Sequence, residues 1–444
     1  MKIKSAENSK KNGQKIIGLV DCNNFFVSCE RVFDPTLENK PVLVLSGNDG
    51  CVVARSKEAR ELGIPMGVPV FKIKDLIKKE KIQLKSGNLE LYYDMSKRVM
   101  NIIREFIDTI EVYSIDEAFL DLSKYKNPKK ICQNLSQKIK QYTGIPVSIG
   151  IANTKTLAKL ANKIAKKNQE VFHINSEQVL IDALKKTDVN DVWGIGSKAT
   201  QKLKLLKIYN AYDFQKQNIF WIKKQFGIGG VNIAKELMGQ QMHSFQEVHK
   251  KRKSIISSRS FGRVVHDFEE LESSLILHIE NSTKQLRQDN LKTQQITFYI
   301  STGLYQKAGN YLGKETVNFD YPTDDTIKII REIKPALKKI YKNGLPYKKS
   351  GVCLSNIVEK NKIYENNLFG NVLNEHEKIN QAIDNLNDRY GTNTIKMASS
   401  NLDLVTNKKH KQTNKIKTTV KSVSKYRSKN FTTNWDQILT ISNT

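Results

Sequence analysis

The sequence carries, at Tyr113-Ser114-Ile115-Asp116-Glu117-Ala118-Phe119-Leu120, two adjacent carboxylates inside an apolar segment that is typical of paired β-strands. Burying two negative charges side by side costs several kcal/mol unless cations lie beside them. A third acid has a matching setting, because Asp21 directly follows the apolar run Ile16-Ile17-Gly18-Leu19-Val20. Hard divalent cations prefer such oxygen ligands and leave positions open for water and phosphate. The three acids therefore favour a metal site for phosphoryl or nucleotidyl transfer.

The same acids also have an ordinary structural interpretation. Asp116 and Glu117 are then exposed residues of a hairpin turn, and Asp21 is the N-cap of the helix that follows its strand. Aspartate is a favoured N-cap residue. Taken one residue at a time, the sequence leaves both interpretations open.

The composition indicates a polyanionic partner. Lys and Arg total 73 against 45 Asp and Glu, which gives a formal net charge of +28 over 444 residues. Such an excess is typical of nucleic-acid binding that weakens steeply as salt rises. A genome biased towards lysine is an alternative source of part of this charge. The length is enough for about three domains.

Cysteine usage and hydropathy indicate a protein of a reducing compartment. The five cysteines form no C-x-x-C pair and the seven histidines have no metal-ligand spacing, so neither disulfides nor a zinc site is expected. No apolar run approaches the roughly 20 residues of a membrane helix. The apolar run after Lys15 is too short for a signal peptide. We expect a cytoplasmic, nucleoid-associated protein with no membrane partner.

Short β-runs alternating with helical stretches predict an α/β domain from about residue 16 to 172. Residues 31–85 are rich in Gly, Pro and Lys and predict a small inserted subdomain, and residues 181–245 predict short helices. A second α/β pattern predicts a split β-α-β-β-α-β unit. Its expected elements are strand 254–265, helix 269–289, strand 292–302, strand 315–320, helix 323–342 and strand 347–358.

The C-terminal region differs from the rest of the chain. Beyond Asn361 there is no proline and little apolar periodicity, and residues 404–434 contain nine Lys or Arg and no acid. Such a segment is typically mobile, or ordered only on a partner. If it binds DNA, deleting residues 404–434 is expected to flatten the salt dependence of binding.

A helix predicted over residues 153–167 has two distinct faces. Lys155, Lys159 and Lys166 fall within roughly 40° of one another at 100° per residue. A lysine row is usually a solvated surface, but beside a metal site it could neutralise a triphosphate. The opposite face is apolar and contains Leu157, Leu160, Ala161 and Ile164.

The stretch Asp191-Val192-Trp193-Gly194-Ile195-Gly196-Ser197-Lys198 has the form of a helix-hairpin-helix turn. Its glycines expose backbone N–H groups that could hold a DNA phosphate, and Ser197 could cap the next helix. An ordinary turn between helices fits the pattern equally well. Gly227-Ile228-Gly229-Gly230 resembles a degraded second copy.

Taken together, five motifs resemble the Y-family translesion DNA polymerases, and within them the UmuC branch. The resemblance runs from about Ile16 to Lys360, with a weaker similarity at residues 426–439, and the motifs occur in the family's order. They are Asp21-Cys22-Asn23-Asn24-Phe25-Phe26-Val27-Ser28-Cys29-Glu30, Asn48-Asp49-Gly50-Cys51-Val52-Val53-Ala54-Arg55, Tyr113 to Leu120, Lys155-Thr156-Leu157-Ala158-Lys159-Leu160-Ala161-Asn162, and Val192-Trp193-Gly194-Ile195-Gly196.

The resemblance implies an α/β (α+β, multidomain) right-hand polymerase with palm, small fingers, helical thumb and an added little finger. The implied division is a polar N-terminal extension 1–15, palm 16–30 and 86–180, fingers 31–85, thumb 181–245 with the helix-hairpin-helix turn, little finger 250–360, and a basic C-terminal region 361–444.

The resemblance also implies the catalytic machinery. Asp21, Asp116 and Glu117 would hold two Mg²⁺ ions, with the Cys22 carbonyl as a backbone ligand. Such ions activate a primer 3′-hydroxyl and stabilise the departing pyrophosphate. Phe26 matches the steric gate that blocks a ribose 2′-hydroxyl, although aromatic residues at the start of a helix usually belong to the core.

Several basic residues match nucleotide-contacting positions by the same resemblance: Arg55, Arg60 and Lys166. Lys57 stands where stand-alone relatives carry a phosphate-contacting tyrosine, which favours the UmuC branch. DNA contacts are implied for Gly194, Gly196, Lys198 and Arg259.

A clamp-binding peptide is implied near residues 365–369. Leu368 and Phe369 could enter an apolar pocket on a sliding clamp. The match is partial, because Glu365 and Asn367 replace the usual glutamine and leucine.

The resulting hypothesis is an error-prone polymerase of a DNA-damage response that binds primer-template DNA and dNTPs. The resemblance implies a processed UmuD-like dimer, a RecA filament and a sliding clamp as partners. A stand-alone DinB-type polymerase and a non-catalytic DNA-binding module remain open alternatives, because fold does not determine activity.

Overall fold

The computed structural model describes residues 15–168, 170–245, 252–303, 309–360, 376–391, 394–400 and 424–439. The chain divides into two compact units. The first contains Met1–His249 together with Ser424–Thr444, and the second contains Lys250–Val423. Within the described ranges, no helix combines the length and the apolar character that a membrane crossing requires.

The first unit follows the expected alternation of strands and helices. In chain order its described elements are β1 (Ile17–Cys22), α1 (Phe25–Phe33), β2 (Val42–Leu45), β3 (Val52–Arg55), α2 (Lys57–Glu61), α3 (Lys74–Lys79), β4 (Gln83–Ser86), α4 (Leu89–Phe106), β5 (Ile110–Val112), β6 (Glu117–Asp121), α5 (Pro128–Thr143), β7 (Val147–Ala152), α6 (Lys155–Asn168), β8 (Val171–His173), α7 (Glu177–Lys185), α8 (Ser197–Leu205), α9 (Ala211–Gln215) and α10 (Ile219–Leu237).

The main sheet of the first unit, called the palm sheet below, has the strand order β5-β6-β1-β7-β8. Its strands are antiparallel except for the β7–β8 pair. Side chains alternate between the two faces of a strand. Val20 and Leu120 pack on one face with α4 and α5, while Leu19 and Phe119 pack on the other face beneath α6. Both faces are covered, as in other sheets with nearly continuous apolar strands.

Gly150 sets how closely α6 approaches the palm sheet. A Cβ atom at this position of β7 would overlap the Asn162 backbone nitrogen and the Ala158 carbonyl oxygen. The side-chain amide of Asn162 then donates to Leu19 O at 3.2 Å and to Ser148 O at 2.6 Å. Glycine therefore allows a helix with polar residues to lie directly on the strands.

A second, three-stranded sheet lies almost entirely within residues 31–85, the range in which the sequence predicted a small inserted subdomain. This sheet has the order β3-β2-β4, with β2 and β4 parallel. A separate apolar core lies within this subdomain and contains Leu43, Leu45, Val52, Ala59, Ile64 and Ile82.

The second unit contains the split β-α-β-β-α-β arrangement. The strand order β11-β10-β12-β9, antiparallel throughout, leaves β9 and β10 parallel with β12 between them. The Asp325 carboxylate accepts hydrogen bonds from the first turn of α12, which explains why that helix starts at 326 rather than 323. The described elements are β9 (Ile255–Val265), α11 (Phe268–Gln288), β10 (Leu291–Thr302), β11 (Leu312–Thr323), α12 (Thr326–Ile340), β12 (Tyr347–Glu359) and α13 (Glu377–Tyr390).

The expectation for the C-terminal region is wrong for residues 424–439. This segment lies on the first unit and pairs with the edge of β4 through a bridge between Ser86 and Arg427. Hydrogen bonds and an aromatic stack hold it in position. Apolar periodicity contributes little, which explains why the periodic pattern did not predict an ordered segment.

Candidate active site

Asp21 and Glu117 lie directly opposite each other on neighbouring strands. The register of β1 and β6 pairs Asp21 with Glu117 and Leu19 with Phe119. Because side chains alternate along a strand, the two acids share the face of Leu19 and Phe119. That face packs beneath α6, so both carboxylates are directed at this helix.

Asp116 joins the pair from the turn between β5 and β6. Its carbonyl oxygen accepts a hydrogen bond from the Cys22 backbone N–H at 2.9 Å, which ties the turn to the end of β1. The Ser114 hydroxyl donates to Asp116 Oδ1 at 2.6 Å. Three carboxylates therefore meet at one end of the palm sheet, and this group is called the acid edge below.

The ordinary interpretation of these acids is wrong in two respects. The N-cap position of α1 is occupied by Asn24, so Asp21 caps no helix and is instead buried in β1. Asp116 does lie in a hairpin turn, but it is only partly exposed, as is Glu117 at the start of β6.

Each lysine of the α6 row pairs with a carboxylate. Lys166 Nζ lies 2.6 Å from Asp21 Oδ2, and Lys159 Nζ lies 2.9 and 3.0 Å from the two Glu117 carboxylate oxygens. Lys155 Nζ lies 2.5 Å from Glu111 Oε2 and is almost fully buried. The solvated-surface interpretation is therefore wrong for Lys155 and Lys159, whereas Lys166 pairs with Asp21 and is still exposed.

Aromatic rings surround the Lys159 ammonium group. Its Nζ lies 4.5 Å from the ring centroid of Tyr113, 5.4 Å from Trp193 and 5.8 Å from Phe119. Ring faces attract cations electrostatically, and the attraction grows where water is excluded. The rings and Glu117 together hold Lys159 in one place.

Burial and mutual repulsion among the carboxylates of the acid edge disfavour the ionised form of Asp21. Burial raises the pKa of Asp21 to about 7; the Lys166 ammonium opposes this rise, and the negative charges of Glu117 and Asp116 add to it. Divalent cations relieve this kind of repulsion. The donor set is all oxygen, which is what Mg²⁺ prefers.

The carboxylates are not pre-arranged as a cage. Among the described side chains, no group of three His, Cys, Asp or Glu residues is arranged to hold a metal ion. The lysine pairs account for this arrangement, since Asp21 and Glu117 are each directed at an ammonium group.

A cleft of about 310 Å³ opens beside the acid edge. It combines two of the three acids, the aromatic residues at the start of α1, and three cationic side chains from the inserted subdomain and α6. Its lining residues are Asp21, Cys22, Asn24, Phe25, Phe26, Val53, Ala54, Arg55, Arg60, Met66, Ile115, Asp116 and Lys166.

Most predicted nucleotide-contacting residues meet in this cleft, but Lys57 does not. Arg55, Arg60 and Lys166 line it. Lys57 lies on the outer side of α2, where its side chain is 74% exposed and its nearest acid is Glu61 at 3.9 Å.

Phe26 lies between the cleft and the core. It lines the cleft and also packs against the buried residues of the palm. Its ring stacks on Tyr92 of α4, with centroids 4.5 Å apart and planes inclined by 17°. The core interpretation and the gate interpretation of this residue are therefore compatible.

The predicted hairpin turn packs against Ile233 of α10 at Gly194. Gly194 has φ 94°, and a Cβ atom there would lie 2.8 Å from Ile233 Cδ1 of α10, so glycine is required. Gly196 is the N-cap of α8 and has no side-chain cap, so the expectation that Ser197 caps this helix is wrong. Lys198 is exposed on α8. The degraded second copy breaks α10 at Gly227, where φ is 66°.

The remaining predicted site residues come later in the sequence than the acid edge. Arg259 is half-buried on β9, opposite Ser350 of β12, and burial lowers its pKa. The predicted clamp-binding residues Leu368 and Phe369 fall outside the described residues.

Glu236 is a structural acid that local sequence patterns did not reveal. It is fully buried on α10, and its carboxylate accepts hydrogen bonds from the backbone N–H groups of Thr156 at 3.0 Å and Met242 at 2.7 Å. It thereby caps the start of α6, the helix that carries the lysine row. A single acid within an apolar helix was the available signal.

Family models match most of the chain. The impB/mucB/samB family matches residues 20–163, and the C-terminal domain of that family matches residues 252–368. The chain belongs to the impB/mucB/samB family. A domain of unknown function, DUF4113, matches residues 377–441.

Curated relatives of this impB/mucB/samB protein include Protein UmuC of Salmonella typhimurium, 34% identical over 400 residues that cover 87% of this chain and 94% of the relative. Protein ImpB of Salmonella typhimurium is 33% identical over 383 residues, 84% of this chain and 90% of the relative. DNA polymerase IV of Oceanobacillus iheyensis is 28% identical over 403 residues, 87% of this chain and 92% of the relative.

Solved structures show the fold of this impB/mucB/samB protein. The Y-family DNA polymerase chimera Dbh-Dpo4(243-245)-Dbh superposes with a TM-score of 0.63 at 24% identity, covering 78% of this chain and 99% of the chimera. The insertion ternary complex of Dbh DNA polymerase superposes with a TM-score of 0.52 at 22% identity over 78% of this chain and 99% of Dbh. The expected Y-family right-hand polymerase fold is confirmed.

Proposed function

We propose that this chain copies damaged DNA by nucleotidyl transfer at the acid edge, in a DNA-damage (SOS) response. The enzyme is an error-prone, template-directed DNA polymerase. The observation that carries the proposal is the cleft that brings the acids Asp21 and Asp116 together with Phe26 and with the cations of Arg55, Arg60 and Lys166. A protein that only bound DNA would gain nothing from burying an acid with a raised pKa beside two others.

Asp21, Asp116 and Glu117 are the residues that would hold two Mg²⁺ ions, with the Cys22 carbonyl as a further ligand. When bound, such ions lower the pKa of a primer 3′-hydroxyl and stabilise charge on the triphosphate. The oxygen donors and the mutual repulsion of the acids suit divalent cations. Lys159 and Lys166 neutralise the acids in the free enzyme, at the distances given above.

The cationic residues of the cleft would receive the triphosphate of an incoming dNTP. Arg55 and Arg60 come from the inserted subdomain and Lys166 from α6, so positive charges approach the cleft from two sides. Guanidinium groups bind phosphate oxygens with paired hydrogen bonds, and lysine acts as a point charge. Lys166 would exchange Asp21 for phosphate when a cation takes over the carboxylate.

Phe26 would select the sugar. A rigid ring rejects a ribose 2′-hydroxyl by steric overlap, whereas an apolar pocket rejects an added hydroxyl poorly. Its stack on Tyr92 supplies the rigidity that this role requires.

We also propose subdomain boundaries and DNA-contacting residues. Palm 16–30 and 86–180, fingers 31–85, thumb 181–245 and little finger 250–360 are the subdomains we propose. Gly194, Gly196 and Lys198 of the thumb turn and Arg259 of β9 would contact DNA phosphates, because backbone N–H groups and cationic side chains bind phosphate without reading sequence.

We further propose UmuC-type partners, namely a processed UmuD-like dimer, a RecA filament and a sliding clamp. Protein UmuC is 34% identical and DNA polymerase IV of Oceanobacillus iheyensis is 28% identical, each over 87% of this chain, which supports the UmuC branch over the stand-alone DinB type. Leu368 and Phe369 stay a prediction for clamp binding.

Primer extension on undamaged and abasic templates with Mg²⁺ tests the proposal. Wild type is compared with Asp116→Asn and with the control Asp121→Asn, which changes an acid at the other end of β6. We expect Asp116→Asn to lower the rate of incorporation by at least about 10³-fold, because a metal ligand is lost, and Asp121→Asn to keep it within a few-fold.

Each outcome has a distinct meaning. Extension that requires the UmuD-like dimer and RecA filament supports the UmuC type, and extension without them supports the DinB type. Equal traces from wild type and Asp116→Asn would contradict the two-metal assignment. DNA binding without extension, with every partner present, would favour a binding module.

A further inference from the structure

The segment 424–439, called the C-terminal strap below, binds the first unit through specific contacts. The Ser86 backbone N–H donates to Tyr426 O at 3.0 Å, and the Tyr426 N–H donates to Ser86 Oγ at 3.0 Å. The Phe431 ring stacks on Phe33 at the end of α1, with centroids 4.7 Å apart and planes 9° from parallel. The strap thus contacts both the inserted subdomain and the palm.

One contact of the strap reaches a buried charge. Glu30 of α1 is 1% exposed, and its Oε1 accepts hydrogen bonds from Tyr92 Oη at 2.7 Å and from Ser428 Oγ at 3.0 Å. A buried carboxylate is costly unless donors satisfy its oxygens. The chain supplies one donor from α4 and the other from a residue 398 positions later in the sequence.

The buried carboxylate is connected to the gate residue. Glu30 and Phe26 are four residues apart on α1 and therefore lie on the same side of the helix. Tyr92 contacts both, because its hydroxyl donates to Glu30 and its ring stacks on Phe26. Ser428, Glu30, Tyr92 and Phe26 form a continuous series of contacts, called the gate support below.

The strap also holds the start of the helix that carries Tyr92. Asn88 is the N-cap of α4, and its side-chain amide donates to Ser428 O at 3.3 Å and to Lys429 O at 3.2 Å. The Asn430 amide and the Thr433 hydroxyl donate to the carboxylate of Glu90 in the first turn of α4. These contacts fasten the strap to the first turn of α4, whereas the contact that reaches the Tyr92 side chain passes through Glu30.

We propose that the C-terminal strap positions the Phe26 ring through the gate support and thereby sets how strictly the enzyme rejects ribonucleotides. This inference rests on the proposed function, because it assigns Phe26 the role of selecting the sugar. Discrimination by steric overlap needs a ring held to within about 0.5 Å, and neighbouring contacts fix such positions. Ser428 and Glu30 are positioning residues, since neither lines the cleft.

The test measures selectivity rather than activity. Full-length wild type, Ser428→Ala and Thr433→Ala each incorporate a dNTP or the matching rNTP opposite the same template base. The quantity compared is the ratio of kcat/KM for dNTP to kcat/KM for rNTP. Loss of folded enzyme cancels in this ratio, so a general structural effect does not change it.

Thr433→Ala is the matched control. It removes a hydroxyl from the same strap, but that hydroxyl donates to Glu90, which is exposed, rather than to Glu30. We expect Ser428→Ala to lower the ratio about three- to tenfold, Thr433→Ala to keep the wild-type ratio, and Ser428→Thr, which keeps a hydroxyl, to restore most of it.

A double-mutant cycle tests whether the effect passes through Phe26. In a Phe26→Ala background the gate ring is absent, so adding Ser428→Ala should change the ratio by less than about twofold. An effect of Ser428→Ala that persists in this background would overturn the proposal, as would equal ratios for Ser428→Ala and Thr433→Ala.

The failure of this inference is distinguishable from failure of the proposed function. Wild type that incorporates nucleotides but gives the same ratio as Ser428→Ala overturns the role of the strap alone. Wild type that incorporates neither nucleotide, with the UmuD-like dimer and RecA filament present, overturns both.

Discussion

The palm sheet and the sheet of the second unit are both covered by a long helix, yet the two helices contact their sheets differently. α6 meets the palm sheet with charges, as in the Lys159–Glu117 and Lys166–Asp21 pairs. α11 buries or partly buries neutral pairs, such as the Ser274 hydroxyl 2.8 Å from that of Ser350 and the His278 Nδ1 2.9 Å from the Ser257 hydroxyl. Its ion pair with the sheet, Glu270 with Arg263 of β9, has a half-exposed arginine.

The difference separates packing from chemistry. Neutral hydrogen-bonded pairs cost little to bury, so they accumulate wherever a helix crosses a sheet. Charged pairs pay a large desolvation penalty that replacement by apolar residues would avoid. Both partners of the Lys159–Glu117 pair beneath α6 are largely buried, whereas the Glu270–Arg263 pair between α11 and β9 has a half-exposed arginine. The buried pair indicates that the palm keeps charges for their reactivity.

Two glycine substitutions should give the largest contrast, one beneath α6 and one on the face of the second sheet that points away from α11. Gly150→Ala would force a Cβ atom into backbone atoms of α6, while Gly351→Ala in β12 would approach Ser258 Cβ at 2.5 Å and Tyr299 Oη at 2.8 Å. We expect Gly150→Ala to lower the free energy of unfolding by more than about 3 kcal/mol and Gly351→Ala by about 1–2 kcal/mol, because side chains move more easily than backbone.

Urea unfolding with circular dichroism compares the two glycine variants. Equal losses of stability would mean that α6 can lift off the palm sheet without cost. That result would contradict the close packing on which the charged pairs depend.

The two units should respond to pH in opposite directions. The pKa of Asp21 is raised from an ordinary 3.8 to about 7, so the folded first unit binds a proton that the unfolded chain releases, and stability is lost as pH rises from about 4 to 7. We expect Asp21→Asn to be more stable than wild type by about 1–3 kcal/mol at pH 8, with the difference shrinking towards pH 4.

His278 supplies the opposite slope. Burial lowers its pKa from 6.5 to about 4, with a contribution from Arg259, so stability of the second unit is lost as pH falls from about 6.5 to 4. His278→Gln should remove this slope. Hydrogen exchange measured separately in each unit checks both variants, because a chain with two units need not unfold in one step. Slopes of the same sign would contradict the assignment.

Removing one ammonium group from the lysine row should give the smallest effect. Lys159→Met removes the ammonium partner of the largely buried Glu117 carboxylate. We expect the free energy of unfolding to fall by about 1–2 kcal/mol. Lys163→Met is the control. Lys163 lies on the same helix as Lys159, and its pair with Asp191 is half-exposed. We expect this substitution to change stability by less than about 0.5 kcal/mol. Identical thermal denaturation curves for both variants would show that the Lys159 site is effectively solvated.

Local patterns predicted the features that lie within one element or one motif. The acids of β1 and β6, the separate faces of α6 and the element order of the second unit were all available from periodicity. Asp21 is two residues from Leu19, and Glu117 is two residues from Phe119, so strand periodicity places each acid on the same face as its apolar neighbour. That face packs beneath α6.

Contacts between distant residues were not predictable in the same way. Tyr92 and Glu30 are 62 positions apart, and Thr156 and Glu236 are 80 apart. No periodicity links such pairs, because only the folded topology brings them together. The strap was misjudged for the same reason, since its order comes from partners located in the first hundred residues.

The distance of the strap from its partners along the chain has a consequence for synthesis. The palm sheet is complete once residue 173 has left the ribosome, whereas the Ser428 contact with Glu30 can form only after Ser428, 398 positions beyond Glu30, has been translated. A nascent or clipped chain that lacks the strap still contains every acid and lysine of the palm. Under our proposal, such a chain would remain a polymerase but would incorporate rNTPs more readily. Full discrimination between dNTPs and rNTPs would therefore be reached only after the strap has been translated.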